Sequence, residues 1–139
     1  MSAIIRMEKA YNCLENYRSN CNSKEHKKLV DIFFPMLYQG NKHRLEISVG
    51  NKISESKFNR VLSMLTDNFI VVLDRWGDEP QLIIKYANNG YPIALINLSL
   101  VKNLQIETEE DQKVKFCSHN IYFKYNDEID YHLHIVIKE

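Results

Sequence analysis

Residues 69–86 read FIVVLDRWGDEPQLIIKY, and they form the clearest hairpin pattern in the sequence. Residues 69–73 are a mostly apolar run, and residues 82–86 have the composition of a returning strand. Between them, residues 77–80 are Gly-Asp-Glu-Pro, which is typical of a turn. The pattern predicts two antiparallel strands joined by a short loop.

The rest of the C-terminal half continues with period-two segments separated by turn residues. An acidic loop is predicted over residues 107–113. In the last segment, Tyr131, Leu133, Ile135 and Ile137 alternate with polar positions, which indicates a half-buried strand. The further predicted strands are residues 92–101, 114–117, 121–125 and 131–138. Short strands joined by turns indicate an antiparallel sheet of about six or seven strands.

The N-terminal half has helical spacing. Apolar residues recur every three or four positions from Ile4 to Leu14, which predicts a first helix. Ser23 is a suitable N-cap for a second helix that begins at Lys24. Pro35 should end that helix, because proline lacks a backbone donor and clashes with the preceding turn.

Residues 43–49 alternate between apolar and polar side chains, and they predict a strand that ends at Gly50 and Asn51. Its apolar face would carry Leu45, Ile47 and Val49, and Arg44, Glu46 and Ser48 would face outward. A third helix is predicted after it, capped by Ser54 or Ser56. Its buried stripe would consist of Phe58, Val61, Leu62 and Leu65.

These segments predict an α+β fold, with N-terminal helices packed on a mostly antiparallel β-sheet of about six or seven strands. A length of 139 residues suits one domain over residues 1–139. We expect residues 1–66 to be helical, with one strand at 43–49, and residues 67–139 to be β-rich.

Composition predicts a cytoplasmic globular protein. Hydrophobic residues make up 45% of the chain, which argues against disorder. The N-terminus does not resemble a secretory signal, no segment is apolar enough to span a membrane, and three cysteines indicate unpaired thiols in a reducing compartment.

Net charge is zero, which argues against a dedicated nucleic-acid binder. The charges are nevertheless segregated along the chain. Residues 1–66 contain 11 Lys and Arg against 6 Asp and Glu, whereas residues 67–139 contain 7 against 12. Such asymmetry can steer a charged partner to one face.

Candidate catalytic and metal-binding residues form no recognisable motif. His132 and His134 would share one face of the last strand, and His119 and Cys117 lie close in sequence to each other. The paired spacings typical of zinc sites are missing from the sequence, as are nucleotide-binding and nucleophile-elbow motifs. We therefore predict no metal, no cofactor and no catalytic residue.

Residues 43–50, HRLEISVG, followed by residues 53–62, ISESKFNRVL, resemble the opening of tunnel-type RNA triphosphatases. In that family an E-x-E strand begins the tunnel, and a glutamate-bearing strand near the end completes a divalent-metal site. Glu46 matches one carboxylate, but Ser48 occupies the second position, and the closing strand carries His132 and His134. The resemblance implies a phosphohydrolase that is either degenerate or active. Divalent cations prefer oxygen ligands, so the loss of these carboxylates would disable metal binding.

A winged-helix DNA-binding protein is another alternative. The predicted third helix and the 69–86 hairpin follow one another in the order of that fold, and Lys52, Lys57 and Arg60 would face phosphates. The hairpin loop, however, contains Asp74, Asp78 and Glu79, which would repel a phosphate backbone.

The leading hypothesis is a non-enzymatic inhibitor, such as a bacterial immunity protein or a phage-encoded inhibitor. It would block a basic toxin or nucleic-acid enzyme through acidic turns with aromatic anchors. The residues predicted to bind this partner are Trp76, Asp78, Glu79, Glu107, Glu109, Glu110, Asp111, Tyr122, Tyr125, Asp127, Glu128 and Asp130.

Overall fold

The computed structural model of the protein describes residues 3–38, 43–54, 57–75, 80–113, 116–124 and 130–137. Over these residues the chain forms two helices followed by eight strands. None of the helices in these ranges has both the length and the apolar character needed to cross a membrane. The elements are α1 Ala3–Asn20, α2 Lys24–Phe33, a 3-10 turn Phe34–Met36, β1 His43–Ser54, β2 Lys57–Thr66, β3 Phe69–Arg75, β4 Gln81–Tyr86, β5 Pro92–Asn97, β6 Lys102–Asp111, β7 Phe116–Lys124 and β8 Asp130–Ile137.

The chain divides into two compact units, one within residues 1–41 and 69–100 and the other within residues 42–68 and 101–139. The α+β class is confirmed, because two N-terminal helices accompany antiparallel sheets. The expected single sheet is instead two sheets, of three and five strands. The assignment of residues 1–139 to one domain stays a prediction.

The first unit contains both helices. The Ser23 side chain accepts a hydrogen bond from the backbone N–H of His26, so the predicted N-cap of α2 is confirmed. α2 ends at Phe33, and Pro35 lies in the 3-10 turn that follows. The buried stripe of α2 consists of Leu29, Val30, Ile32 and Phe33.

The sheet of this unit has the order β3-β4-β5 with antiparallel pairing. The two paired strands predicted within residues 69–86 are confirmed as β3 and β4, whereas residues 77–79 of the predicted turn lie outside the described residues. Tyrosine hydroxyls hold the N-terminal segment in place: Tyr11 donates to the carbonyl of Leu37, and Tyr17 donates to the carbonyl of Leu98 at 2.9 Å. An isolated parallel β-bridge between Leu37 and Val71 also links this N-terminal segment to β3.

The second unit is an antiparallel sheet with the order β2-β1-β8-β7-β6. Residues in register lie on the same face, and one row across three central strands is Ile47, Leu133 and Ile121. The next row on that face contains Leu45 and Ile135, both fully buried. This apolar face supplies the core side chains of the unit.

The predicted third helix is wrong, because residues 57–66 form strand β2 along β1. Apolar residues at 58, 61, 62 and 65 satisfy helical spacing, but ladder hydrogen bonds from Leu45 opposite Thr66 to Ser54 opposite Lys57 override this local preference. The winged-helix hypothesis requires a helix directly before the 69–86 hairpin, but the element in that position is strand β2.

Several strand bounds also differ from the sequence prediction. β1 continues past Gly50 to Ser54, with a register irregularity at Val49 and Gly50 that accommodates the glycine. Most of the predicted acidic loop belongs to β6, because a terminal strand tolerates charges on exposed positions. The separate strands expected at 114–117 and 121–125 are one strand, β7, over its described part. The strand expected over residues 92–101 is shorter, since β5 ends at Asn97.

The outward-facing assignment of Ser48 is wrong as well. Ser48 has no exposed surface, although Leu45 on the other face is buried as predicted. Ser48 lies in β1, inside the sheet, and the larger His132 side chain is directly opposite it on β8. This face of the sheet is polar and closely packed.

Replacing Tyr17 with phenylalanine should lower the free energy of unfolding by about 1 kcal/mol near neutral pH, because the Leu98 carbonyl loses its donor. Burial raises the pKa of Tyr17 to about 12, and the adjacent Cys21 thiol adds to this effect. The unfolded chain therefore loses its phenol proton first, and the stabilisation fades as pH rises from 10 towards 12.

Urea unfolding at about pH 9 and about pH 11 measures this effect, and the difference between wild type and Tyr17→Phe should narrow at the higher pH. Tyr91→Phe is the matched control, since Tyr91 is 69% exposed. A difference for Tyr17→Phe that widens at high pH would contradict the assignment.

Candidate protein-binding surface

The outer half of β6, residues 107–111, carries the densest run of exposed carboxylates among the residues predicted to bind a partner. Glu107, Glu109, Glu110 and Asp111 are all exposed. In the five-stranded sheet β6 is a terminal strand, paired with β7. The sequence predicted these residues in a loop, so their chemistry was anticipated but their alignment along a strand was not.

Alternation along β6 separates these carboxylates between the two faces of the sheet. Glu107, Glu109 and Asp111 share one face, and Glu110 lies on the other. We call the first three the acidic row. Gln105 continues the same face, and Tyr122 lies directly opposite it on β7. The acidic row and Tyr122 therefore belong to one surface.

A groove of about 480 Å³ lies at the beginning of β6 on the second unit. It coincides with a bulge, because the register shifts between Lys102 and Gln105, and Asn103 has a left-handed backbone with φ 51°. Asparagine tolerates that conformation better than most residues. The groove is lined by Asn103, Leu104, Gln105, Tyr122, Phe123, Lys124 and Asp130.

One wall of the groove contains an ion pair. The Lys124 ammonium lies 3.1 Å from a carboxylate oxygen of Asp130, and the two side chains are 25% and 11% exposed. They are opposite each other in the β7–β8 ladder. The sequence predicted that Asp130 lies in an acidic turn. In the structure Asp130 is the first residue of β8, and its carboxylate pairs with the Lys124 ammonium.

Behind the groove the polar face is organised by stacking. The rings of Tyr122 and His132 are parallel within 5° with centroids 4.4 Å apart. His132 also lies 2.8 Å from the side-chain oxygen of Asn120, and it is buried. Tyr122 is thereby held rigidly, which reduces the entropy it would lose when a partner packs against it.

The predicted histidine set is divided between two faces. His132 and His134 share one face, as expected, and their ring centroids are 6.4 Å apart. His119 is opposite Ile135, so it lies on the other face. Among the residues the structure describes, no three His, Cys, Asp or Glu side chains are grouped closely enough to hold a metal ion.

Glu46 and Ser48, at the two positions where the triphosphatase resemblance expects carboxylates, lie on the polar face. Glu46 is opposite His134, and Ser48 is opposite His132. The strand is confirmed, but the carboxylate partners that the resemblance implies do not accompany Glu46 on the adjacent described positions of β8. The phosphohydrolase hypothesis therefore stays a prediction carried by Glu46 alone.

The remaining predicted partner-binding residues fall outside the part of the chain that the structure describes. They are Trp76, Asp78, Glu79, Tyr125, Asp127 and Glu128. Sequence reasoning also missed Asn103, Gln105 and Lys124, which line the groove. Their only signal in the sequence is alternation with buried residues, and many surface strands share that signal.

Comparisons of the chain with protein-family models, curated proteins and solved structures gave no match.

Replacing Asp130 with asparagine should lower the free energy of unfolding by about 1–3 kcal/mol, because the partly buried Lys124 ammonium would lose its attraction to the Asp130 carboxylate. Chemical denaturation measures the loss. Combining Asp130→Asn with Lys124→Met should recover part of it.

Asp31→Asn provides the matched control, since Asp31 pairs with Arg18 in a solvent-exposed position. Its effect should be clearly smaller, because exposed ion pairs are screened by water and salt. Equal losses for the two substitutions would show that burial of the Lys124–Asp130 pair has no energetic consequence.

Proposed function

We propose that this protein is a non-enzymatic inhibitor that binds a basic protein partner, such as a toxin or a nucleic-acid enzyme. Binding would occur through the outer half of β6 and the adjoining groove. The observation that supports this most is the acidic row, in which three exposed carboxylates follow one another on one face of a terminal strand. A bacterial immunity protein would act in this way.

The spacing of the acidic row suits a basic partner. Alternate residues of a strand are separated by about 6.6 Å, which lets each carboxylate meet a different Lys or Arg side chain. A nuclease presents such cations where it binds phosphate groups. Covering them would exclude the nucleic acid, and complementary charge would accelerate the encounter.

Affinity also needs anchors, because exposed charge pairs contribute little individually. Tyr122 supplies an aromatic side chain on the same face, held by His132. The groove beside it has a volume within the range that can accept a side chain of the partner. Together, charge on the strand and shape at the groove give both steering and specificity.

A triple variant, Glu107→Gln, Glu109→Gln and Asp111→Asn, tests the proposal. Against a panel of purified cationic nucleases, the wild-type protein should inhibit at least one, with affinity that falls as salt rises. The triple variant should bind that nuclease about tenfold more weakly or worse, since each lost pair contributes up to about 1 kcal/mol.

The matched control neutralises three exposed carboxylates elsewhere, Glu8→Gln, Glu15→Gln and Asp67→Asn, and changes net charge equally. The affinity of this control variant for the nuclease should remain within about threefold of wild type if the location of the carboxylates, and not the net charge of the protein, governs binding. Equal weakening by the two triple variants would reject the acidic row as the interface. Absence of inhibition across the panel would reject the inhibitor function.

The non-enzymatic part of the proposal has a separate test. An RNA with a 5′-triphosphate end, incubated with the protein and magnesium or manganese, should release no phosphate. Release that Glu46→Ala abolishes would replace the proposal with the triphosphatase hypothesis.

A further inference from the structure

Four side chains form a chain of polar contacts across β6 and β7, on the face opposite the acidic row. Thr108 is paired with His119, and Glu110 is paired with Cys117. The Thr108 hydroxyl lies 3.0 Å from Nδ1 of His119. Nε2 of the same ring lies 3.7 Å from the Cys117 sulfur, which is 3.9 Å from a carboxylate oxygen of Glu110.

The order of these contacts matches the requirements of an activated thiol. When Nδ1–H donates to the Thr108 hydroxyl, Nε2 is left to accept the proton of Cys117. The hydroxyl can still accept from Nδ1–H after the ring becomes an imidazolium. Thr108 therefore positions the imidazole in both charge states, and His119 can hold the proton while the thiolate reacts.

The other groups around the thiol act in different directions. An imidazolium beside a thiolate favours the thiolate, whereas the Glu110 carboxylate disfavours it. Glu110 is exposed, so water and salt weaken its influence on the thiol. On β8, Ile135 is opposite His119 and contributes no charge. The imidazole is thus expected to dominate.

The two other cysteines lie in different surroundings. Burial raises the pKa of the Cys13 thiol, which disfavours its reactive form. The Cys21 sulfur lies 3.7 Å from the carbonyl of Ser23. All three cysteines are half-buried and none is in a disulfide, so they differ in surroundings more than in exposure.

We propose that Cys117 is a nucleophilic thiol, activated by His119 and positioned through Thr108, and that it is a site of reversible modification by small disulfides. The Cys117 sulfur attacks one sulfur of the disulfide, a new S–S bond forms, and the original S–S bond breaks. The thiol proton passes to Nε2 of His119 and then to the released thiolate. In this exchange the small disulfide is reduced and Cys117 is oxidised. The modification site goes beyond the proposed inhibitor function and does not depend on it.

The rate of reaction with 2,2′-dithiodipyridine, an uncharged disulfide, tests this site. The full chain carrying Cys13→Ser and Cys21→Ser leaves Cys117 as the reporting thiol. His119→Gln should slow the reaction about threefold or more at neutral pH. His119→Gln removes the group that accepts the thiol proton, so less thiolate is present, and the greater nucleophilicity of a more basic thiolate offsets part of this loss.

Glu110→Gln should change the rate in the opposite direction, raising it about twofold, because a repulsive charge is removed. Asp67→Asn is the matched control. It removes an equal charge at an exposed position that follows β2, the strand at the opposite edge of the sheet from β6, and it should leave the rate unchanged. Mass spectrometry should locate the mixed disulfide on Cys117, and dithiothreitol should reverse it.

Thr108→Val provides a second test if His119→Gln fails to fold. It removes the hydroxyl that positions the His119 imidazole as a proton acceptor, so it should also slow the reaction. The proposal is overturned if Glu110→Gln and Asp67→Asn have the same rate. It is equally overturned if neither His119→Gln nor Thr108→Val, in folded form, reacts more slowly than the parent.

Discussion

The pairing of β8 with β1 joins two hairpins into the five-stranded sheet. β1 and β2 form one antiparallel pair, β6 and β7 form another, and β8 lies between them. The strands that meet are separated by most of the chain, so their pairing must offset a large loop-closure entropy. Buried cross-strand pairs such as Leu45 with Ile135 provide the compensating burial.

The same pairing creates the polar face. His132 contacts Tyr122 and faces Ser48 only because β8 is aligned with β7 and β1 in one register. A shift of one residue would move His132 to the apolar face and Leu133 to the polar one. Buried polar groups need their hydrogen-bond partners, so the contact of His132 with Asn120 disfavours such a shift.

Acidic side chains on β6 serve two physical purposes. A terminal strand is a template for unwanted pairing, and like charges on such a strand repel a second copy of the same strand. The same charges attract a cationic surface. One face of the strand carries the acidic row, and the other carries Glu110 beside Cys117. A modification of Cys117 would consequently add a group close to the proposed interface.

Local sequence was sufficient for α1, α2 with its Ser23 cap, the 69–86 hairpin and the last strand. In these segments the side-chain period, the capping residue and the turn residues all indicate one structure. The exposed acids of residues 107–111 could also be recognised from composition. Charge and apolar periodicity are properties of short segments, and they do not depend on what the segment meets.

Tertiary structure alone decided the rest. Residues 57–66 satisfy both a helical and an extended pattern, and pairing with β1 makes them a strand. The division into two sheets, the burial of Ser48 and the pairing of Asp130 with Lys124 depend on strand order. Cys117 and His119 are two residues apart in the sequence, but their link to Thr108 and Glu110 arises from the β6–β7 register. Long-range register is a balance of burial and chain entropy over the whole fold, and no short segment encodes it.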